Sequence, residues 1–372
     1  MKAILFANTD WYLYNFRLPL AKALRAQGYE VILVSPPGNY DKLLTKEGFR
    51  WVRFAFSRKG ANPVTELITL WRLTKIYRAE RPDLAHHFTI KCVLYGGIAS
   101  RCAGVRAVIC SVTGLGHVFT TNSLRNRLIR PVLLLVYRYV FTRSQIVFQN
   151  PDDRDDFLRL GLAEAGRSHL ICGSGVDTDY YRPSTVRSTG APKVLMVSRL
   201  LQEKGVREFV EAAQIVHKKL PGVQFLIAGD SDPGNPSSIS PETIARWQRD
   251  GNVSFLGHRT DVRDLTQSAD IAVLPSYREG MPRSLLEAAS CGLPMVASDV
   301  PGCREIVQDK LSGLLVPPRD PIRLAEAIAE LLGDRERREE MGKRSREMVC
   351  ELFSQERVIR ETMDVYSKAL GG

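Results

Sequence analysis

The chain lacks most of the features that would commit it to a specialised class at once. Its 372 residues hold seven cysteines (Cys92, Cys102, Cys110, Cys172, Cys291, Cys303 and Cys350), and no two form a C-x-x-C pair. An odd, scattered set speaks against a disulfide framework and reads as reduced thiols, so a cytoplasmic protein is expected. The most apolar stretch, "RPVLLLVYR", is far shorter than the roughly 18 residues of a membrane-spanning helix. The start, "MKAILFANTDWY", has one lysine and a short apolar run stopped by Asp10, which reads as a first core strand and not as a signal peptide. Acidic residues are missing altogether between Asp83 and Asp152.

That gap skews the charge. The net charge is +11, yet residues 1–150 carry 22 Lys/Arg against 7 Asp/Glu, while residues 151–372 carry 30 against 34. Such asymmetry implies an anionic partner for the N-terminal half: nucleic acid, a phosphorylated substrate or acidic lipid. The rest of the composition is ordinary for a globular protein, 44% hydrophobic and 25% charged, and the length suggests two domains.

Strand-like and helix-like segments alternate along the N-terminal half. "KAILFAN" reads as a buried strand, "NFRLPLAKALRAQGY" as an amphipathic helix and "EVILVSP" as a second strand. "ITLWRLTKIYRAERP" is helical, "DLAHHF" a short strand, and "AVICSV" and "QIVFQN" follow around a helical block. The Pro/Ser/Thr/Gly-rich stretch 182–193 resembles a linker, after which the pattern restarts with "KVLMVSR", "VQFLIAGD", "VSFLGH", "IAVLPS" and "PMVASD". Apolar strands alternating with helices predict two doubly wound α/β domains, divided at about 1–185 and 186–372, with ligands at the carboxyl ends of the strands. The C-terminal tail reads as helix with charged outer faces, its last helix able to pack back on the N-terminal domain.

The segment "REGMPRSLLEAASCG" sets Glu279 and Glu287 eight residues apart around a Gly-Met-Pro turn. Pro282 suits the first position of the helix that follows, and the amides near Met281, Arg283 and Ser284 favour an anion at that terminus. Eight helical residues span about 12 Å. That exceeds the roughly 5–9.5 Å between the two carboxylates of a glycoside hydrolase. Two acceptors for separate hydroxyls, with phosphate between them, fit better; an N-terminal helix charge plus a surface acid is the plainer alternative. Upstream, "VSRLLQEKG" places Arg199 just after a strand and Lys204 five residues on, cations suited to a diphosphate.

Together "VSRL", "EKG", "FLIAGD", "VSFLGHRTDV", "ADIAVLPSYREGMPRSLLEAASCGLPMVASDVPGCREIV" and "GLLVPPRD" resemble the retaining glycosyltransferases of family 4, which have the GT-B fold. The resemblance implies transfer of a sugar from a nucleotide diphosphate with retention, and no metal or other cofactor. Glu279 and Glu287 match the family's E-x7-E motif, and Arg199 and Lys204 its diphosphate-binding pair. By the same resemblance Glu287 holds the ribose and Glu279 a sugar hydroxyl. The amides around Gly280 and Met281 reach the sugar and those around Ser284 and Leu285 the phosphates, His258 lies near the base, and Ser198 and Pro282 complete the donor side. Pro282 departs from the family, where glycine is frequent and offers an amide that proline lacks. Thr113 stands where many relatives have a histidine near the sugar, with Gly114, Gly116 and His117 close by. Asn15 and Lys91 are further acceptor-side candidates. "HHFTIKCVLYGG", "TGLGHVF" and "EGMPRSLLEA" look most like the branch that extends polyprenyl-diphosphate-linked sugars, nearest its N-acetylgalactosaminyltransferases. The expected partners are therefore a nucleotide sugar, UDP-N-acetylhexosamine, and a lipid-linked sugar acceptor, with no nucleic acid.

A physical feature points the same way. Residues 121–143 interleave Arg125, Arg127, Arg130, Arg138 and Arg143 with Leu, Val, Tyr and Phe, a composition suited to an anionic membrane surface or to a core helix with a basic edge. A peripheral protein on the inner face of the cytoplasmic membrane is expected. Asp230 and Asp232 in "GDSD" read as a loop, Asp152, Asp153, Asp155 and Asp156 as a helix start, and His86 with His87 as structural or acceptor-side residues. A GT-B nucleotide-sugar epimerase, or a non-enzymatic binder of nucleic acid or lipid, is the rival reading; the first requires an acid/base set, the second leaves the phosphate-favouring motifs without purpose.

Overall fold

The computed structural model describes residues 1–56, 62–112, 124–185, 190–232 and 234–371, with backbone alone at 124–129. It divides into two compact units, Met1–Ser174 with Val358–Gly372, and Gly175–Arg357.

In the first unit β1 (Lys2–Phe6) leads through a helical turn (Asp10–Tyr12) and a π-helical turn (Leu13–Arg17) into α1 (Leu18–Ala26). There follow β2 (Glu30–Ser35), α2 (Asp41–Lys46), β3 (Arg50–Arg53), α3 (Pro63–Glu80), β4 (Leu84–Phe88) and α4 (Ile90–Ala103). The unit continues with β5 (Ala107–Val112), α5 (Leu124–Phe141), β6 (Gln145–Phe148), α6 (Pro151–Arg159) and β7 (Ser168–Leu170). The parallel sheet has the order β3-β2-β1-β4-β5-β6-β7, with Phe6 opposite both Val34 and His87. Its strands are apolar on both faces because both are covered. Leu5, Leu33 and Ile109 face Leu20 and Leu24 of α1; Ile4, Phe6 and Val34 face Leu73 and Tyr77 of α3; Val108 and Phe148 face Tyr137 and Phe141 of α5.

The first helix begins earlier than its sequence pattern, at Asp10, capped by Thr9, whose side chain accepts from the Tyr12 amide. Pro19 has no N–H to close an α-helical bond to the Asn15 carbonyl, and the π turn lies just before it. Asp10 is buried and accepts from the amides of Trp11, Tyr40 and Asp41 at 2.8, 2.8 and 3.0 Å, tying the loops after β1 and β2 together.

The second unit repeats the plan with β8 (Lys193–Val197), a 3₁₀ turn (Gln202–Lys204), α7 (Val206–His217), β9 (Gln224–Ala228), α8 (Pro241–Asp250) and β10 (Ser254–Phe255). Then come α9 (Val262–Gln267), β11 (Ile271–Leu274), α10 (Arg283–Ser290), β12 (Met295–Ser298), β13 (Gly313–Val316), α11 (Pro321–Gly333) and α12 (Arg335–Leu352). The order is β10-β9-β8-β11-β12-β13. In each sheet the first strand is central and the chain winds outward from it in both directions, so the switch points lie at β1/β4 and at β8/β11.

The linker-like stretch enters the second unit before β8, where the Arg182 carbonyl accepts from Gln267 Nε2 at 2.6 Å. The chain passes between units at 174/175 and again at 357/358, early in α13 (Gln355–Leu370). From there α13 joins the core of the first unit through Val358, Met363, Val365 and Tyr366. The Tyr366 hydroxyl lies 2.6 Å from Nδ1 of the fully buried His86. Tyr366→Phe deletes that bond and leaves a buried ring nitrogen without it, at a cost of about 1–3 kcal/mol. A lower midpoint for the first unit in thermal unfolding is expected, and an unchanged midpoint would show that the bond does not secure the helix.

Candidate active site

The switch point of the second unit brings two loops side by side, one after β8 and one after β11. The first carries Ser198, Arg199 and Lys204; the second carries Glu279 and runs into α10. Gly205, at φ +72°, joins them: a Cβ there would strike the Pro275 carbonyl, so no larger residue fits without moving a loop. Glycine is required again at Gly302 (φ +86°), where a Cβ would fall 2.8 Å from the Glu279 backbone. The Glu279 amide donates to the Pro301 carbonyl at 3.2 Å and the Tyr277 amide to the Glu203 carbonyl at 2.9 Å. The Tyr277 hydroxyl donates to Glu208 Oε1 at 2.7 Å, beneath the Arg319 guanidinium 4.5 Å from its ring.

In this frame Lys204 Nζ lies 2.5 Å from Glu279 Oε1, and the Ser276 hydroxyl donates to the same oxygen at 2.7 Å. The two side chains are 19% and 10% exposed, so the pair is nearly dry. Both bonds fall on Oε1, which leaves Oε2 as the acceptor for a ligand among the described residues. Arg199 is held differently: Nη1 meets Asp232 Oδ2 at 2.8 Å with the guanidinium exposed and the carboxylate partly so, a pairing worth under about 1 kcal/mol. An anion of higher charge can therefore displace Asp232 at little cost.

Glu287, on α10, is buried. Arg283 Nε donates to its Oε1 at 2.8 Å, and the Tyr181 hydroxyl bonds to the carboxylate as well. Burial pushes the Glu287 carboxyl above its ordinary value, opposed first by the Arg283 charge and then by these bonds. Arg346 of α12 secures the neighbouring backbone, with Nη1 donating to the Tyr181 and Ser290 carbonyls at 2.9 and 2.8 Å.

The start of α10 differs from the expectation. Pro282 is the N-cap, at φ −73° and ψ 110°, and the helix begins with Arg283. The Pro282 carbonyl accepts from the Leu285 and Leu286 amides at 3.1 and 3.3 Å, since Pro282 has no N–H and takes the extended cap conformation. A phosphate reaching the Leu285 amide must displace that bond, whereas the Arg283 and Ser284 amides belong to the turn that an α-helix leaves without backbone acceptors. Gly280 and Met281 lie in the half-buried turn before them. His258 is exposed beyond β10, where the Gly257 carbonyl accepts from the Gly229 amide at 2.8 Å.

On the first unit Thr113, Gly114, Gly116 and His117 lie outside the described residues. Asn15 sits in the π turn and donates to the Trp11 carbonyl at 2.9 Å; Lys91 pairs with Glu66 at 2.8 Å. The carboxyl edge of β1 and β4 also holds a group that the sequence did not single out. Arg17 is 5% exposed, its Nη2 donates to the Tyr12 hydroxyl at 2.8 Å, and its guanidinium lies 4.3 Å from the Phe88 ring centre. Nearby His86 meets Ser111 Oγ at 2.7 Å; burial, then Arg17 and His87, hold its imidazole well below its ordinary pKa. Burial takes His87 down to about 3. Both rings are neutral and hydrogen-bonded. Ser276, Asp232 and Tyr181 were likewise not picked out as partners in the second unit. Ser276 could have been read from its spacing to Glu279, but Tyr181 stands too far along the chain to leave a local signal.

Comparison with known proteins agrees with this architecture. Residues 2–150 match the family model described as glycosyl transferase 4-like, and residues 177–348 the one described as glycosyl transferases group 1. The N,N'-diacetylbacillosaminyl-diphospho-undecaprenol alpha-1,3-N-acetylgalactosaminyltransferase of Campylobacter jejuni is 32% identical over 344 residues, 89% of each chain. The UDP-Gal:alpha-D-GlcNAc-diphosphoundecaprenol alpha-1,3-galactosyltransferase of Escherichia coli is 26% identical over 73% of this chain and 72% of its own. Among solved structures, Anabaena HepE in complex with UDP-glucose superposes with a TM-score of 0.81 at 19% identity, over 99% of this chain and 100% of that one. The two doubly wound units are those of the GT-B fold. The chain belongs to glycosyltransferase family 4.

The environment of Glu287 yields a pH-dependent prediction. A carboxyl whose folded pKa is raised lends stability that is complete below its unfolded value of about 4.3 and is lost as pH rises through the folded value. Glu287→Gln, which carries no charge to bury, should therefore gain thermal stability relative to the parent between about pH 4 and pH 7.5. A difference that shrinks or reverses over that range would contradict burial as the cause of the raised carboxyl.

Proposed function

We propose that the protein is a retaining, metal-independent transferase that moves an N-acetylhexosamine from a UDP-sugar to a polyprenyl-diphosphate-linked saccharide in bacterial surface or glycoprotein glycan assembly. The observation that carries the reading is the Lys204–Glu279–Ser276 cluster beside Arg199 at the β8/β11 switch point, ahead of the α10 terminus. Two cations next to free-turn amides suit a diphosphate. Oε2 of Glu279 suits a sugar hydroxyl, and Glu287 at the far side of the turn suits the ribose. The lipid-linked acceptor is supported by the substrates named for the Campylobacter and Escherichia relatives. The net positive charge of residues 1–150 supports an anionic membrane surface as the place of reaction.

In this reading the anomeric carbon–oxygen bond to the diphosphate breaks as the acceptor hydroxyl attacks from the same face. The hydroxyl proton passes to the departing phosphate, while Arg199 and Lys204 neutralise its charge. Lys204 must then share its Nζ between Glu279 and phosphate, so the ion pair aligns both groups before the donor arrives.

A thermal-shift panel of nucleotide sugars tests the donor, because the ligand bound tightest stabilises most. UDP-N-acetylhexosamines should lead it, and a transfer assay with lipid-linked saccharide should show the product. Arg199→Ala and Glu279→Ala should each lower turnover by about 10²–10³-fold, the usual loss on removing one group that stabilises developing charge. Full transfer by either variant would refute the assignment; a new sugar nucleotide formed without acceptor would point to the epimerase.

A further inference from the structure

The helical layer over one face of the first sheet carries a surface used by neither the core nor the proposed donor site. α3 is apolar on two sides. Leu73 and Tyr77 are fully buried inward, while Leu67 and Trp71 are 67% and 58% exposed outward, with Val64 and Ile68 exposed beside them. At 3.6 residues per turn these four positions fall within a wedge of about 100°. The same wedge continues as Lys75 and Arg78, and Lys75 Nζ lies 4.0 Å above the Trp71 ring. The stripe is thus apolar over its first two turns and basic over the next two.

α5 repeats the arrangement. Val132 and Leu135 are 61% and 64% exposed, Tyr139 is exposed a turn further on, and the Arg101 guanidinium of α4 lies 3.9 Å from the Tyr139 ring centre. α4 packs against both α3 and α5, so the two stripes belong to one layer. Its charge has one sign. Glu66 is engaged by Lys91 and Tyr95 and Glu80 by Arg50, and no acid occurs between Asp83 and Asp152. Arg72, Lys75, Arg78, Arg101, Arg138 and Arg143 have no carboxylate partner among the described residues.

We propose that this face lies on an anionic bilayer, with Val64, Leu67, Ile68 and Trp71 of α3 as its apolar anchor and Arg72, Lys75, Arg78, Arg101 and Arg138 against the lipid headgroups. Exposed apolar residues flanked by cations without carboxylate partners suit the headgroup boundary, where burial and attraction to anionic lipid add together. A protein partner would have to bring both an apolar groove and a ring of acids. α3 leaves the carboxyl end of β3 to cross to β4, so its apolar turns lie toward the sheet edge that holds Arg17 and His86. A bilayer there meets the first unit at the edge where a lipid-linked acceptor would enter. The inference rests on the lipid-linked acceptor of the proposed function and specifies the surface that meets the lipid, which the sequence had marked only at residues 121–143.

Co-sedimentation of the full chain with phosphatidylcholine vesicles, with and without about one-third phosphatidylglycerol, tests this. The parent should bind the anionic vesicles, weakly bind the neutral ones, and lose binding as salt is raised. L67D/W71A and R72E/K75E, altered only at exposed positions, should each lower partition onto anionic vesicles about tenfold or more while keeping the parent's melting temperature and UDP-sugar thermal shift. Parent-like vesicle binding by both variants overturns the proposal, as does equal binding of the parent to neutral vesicles. Self-association without lipid that L67D/W71A abolishes overturns it too, in favour of a second copy on this face. Vesicle binding without sugar transfer would sink the functional reading and leave this one; transfer to a water-soluble acceptor without vesicle binding would do the converse.

Discussion

The second unit is organised around one nearly dry ion pair, Lys204 to Glu279. It spans the loops that leave β8 and β11, the strands on either side of the switch point. Removing either partner would strand a charge where water has little access, a larger loss than the pair itself contributes. The local chain is shaped to keep it: Ser276 shares the carboxylate, Gly205 lets one loop touch Pro275, and Gly302 lets the backbone pass against Glu279. Arg199 escapes this constraint. Its partly exposed partner Asp232 holds it only weakly, so the candidate site combines one preset cation with one that is easily redirected.

Much of this was legible in the sequence, for identifiable reasons. Parallel strands covered on both faces are uninterrupted apolar runs, so "KAILFAN" and "IAVLPS" declare themselves, and the E-x7-E spacing with the Arg/Lys pair drew attention to the candidate site where Lys204 and Glu279 meet. The edge strands of the first sheet were not legible. β3 reads RWVR and β7 reads SHL because an edge strand is short and half solvated, and loses the apolar signature. Pro282 was placed one position too far into the helix because proline suits both the cap and the first turn, and the sequence does not choose between them. Partners brought together only by tertiary structure, such as Tyr181 with Glu287 or Tyr366 with His86, leave no spacing to read.

Charge was legible as a total and not as a surface. The absence of acids between Asp83 and Asp152 predicted an anionic partner and drew attention to the arginines of residues 121–143. It did not predict the outward stripe on α3, because a helix apolar on both sides has no single periodic face and reads as a core helix. Only the exposure of Leu67 and Trp71 beside the buried Leu73 and Tyr77 separates the two faces.

The two glutamates of the motif reach opposite electrostatic solutions. Glu279 is matched by a lysine at 2.5 Å and keeps one oxygen aside, whereas burial of Glu287 outweighs its arginine and tyrosine and holds its carboxyl above the ordinary range. A hydrolytic pair would need two carboxyls flanking one scissile bond about 5–9.5 Å apart. Here Glu279 lies in the loop before α10 and Glu287 inside the helix, with the amides of its first turn between them in the chain and Lys204 on Glu279, an arrangement that under the proposed function suits a ligand with hydroxyls at its ends and negative charge at its centre. Under the proposed function that ligand is a nucleotide sugar. The raised carboxyl of Glu287 then has a physical reason: a fully solvated carboxylate would be more stable, but it would bind water as readily as a ribose diol.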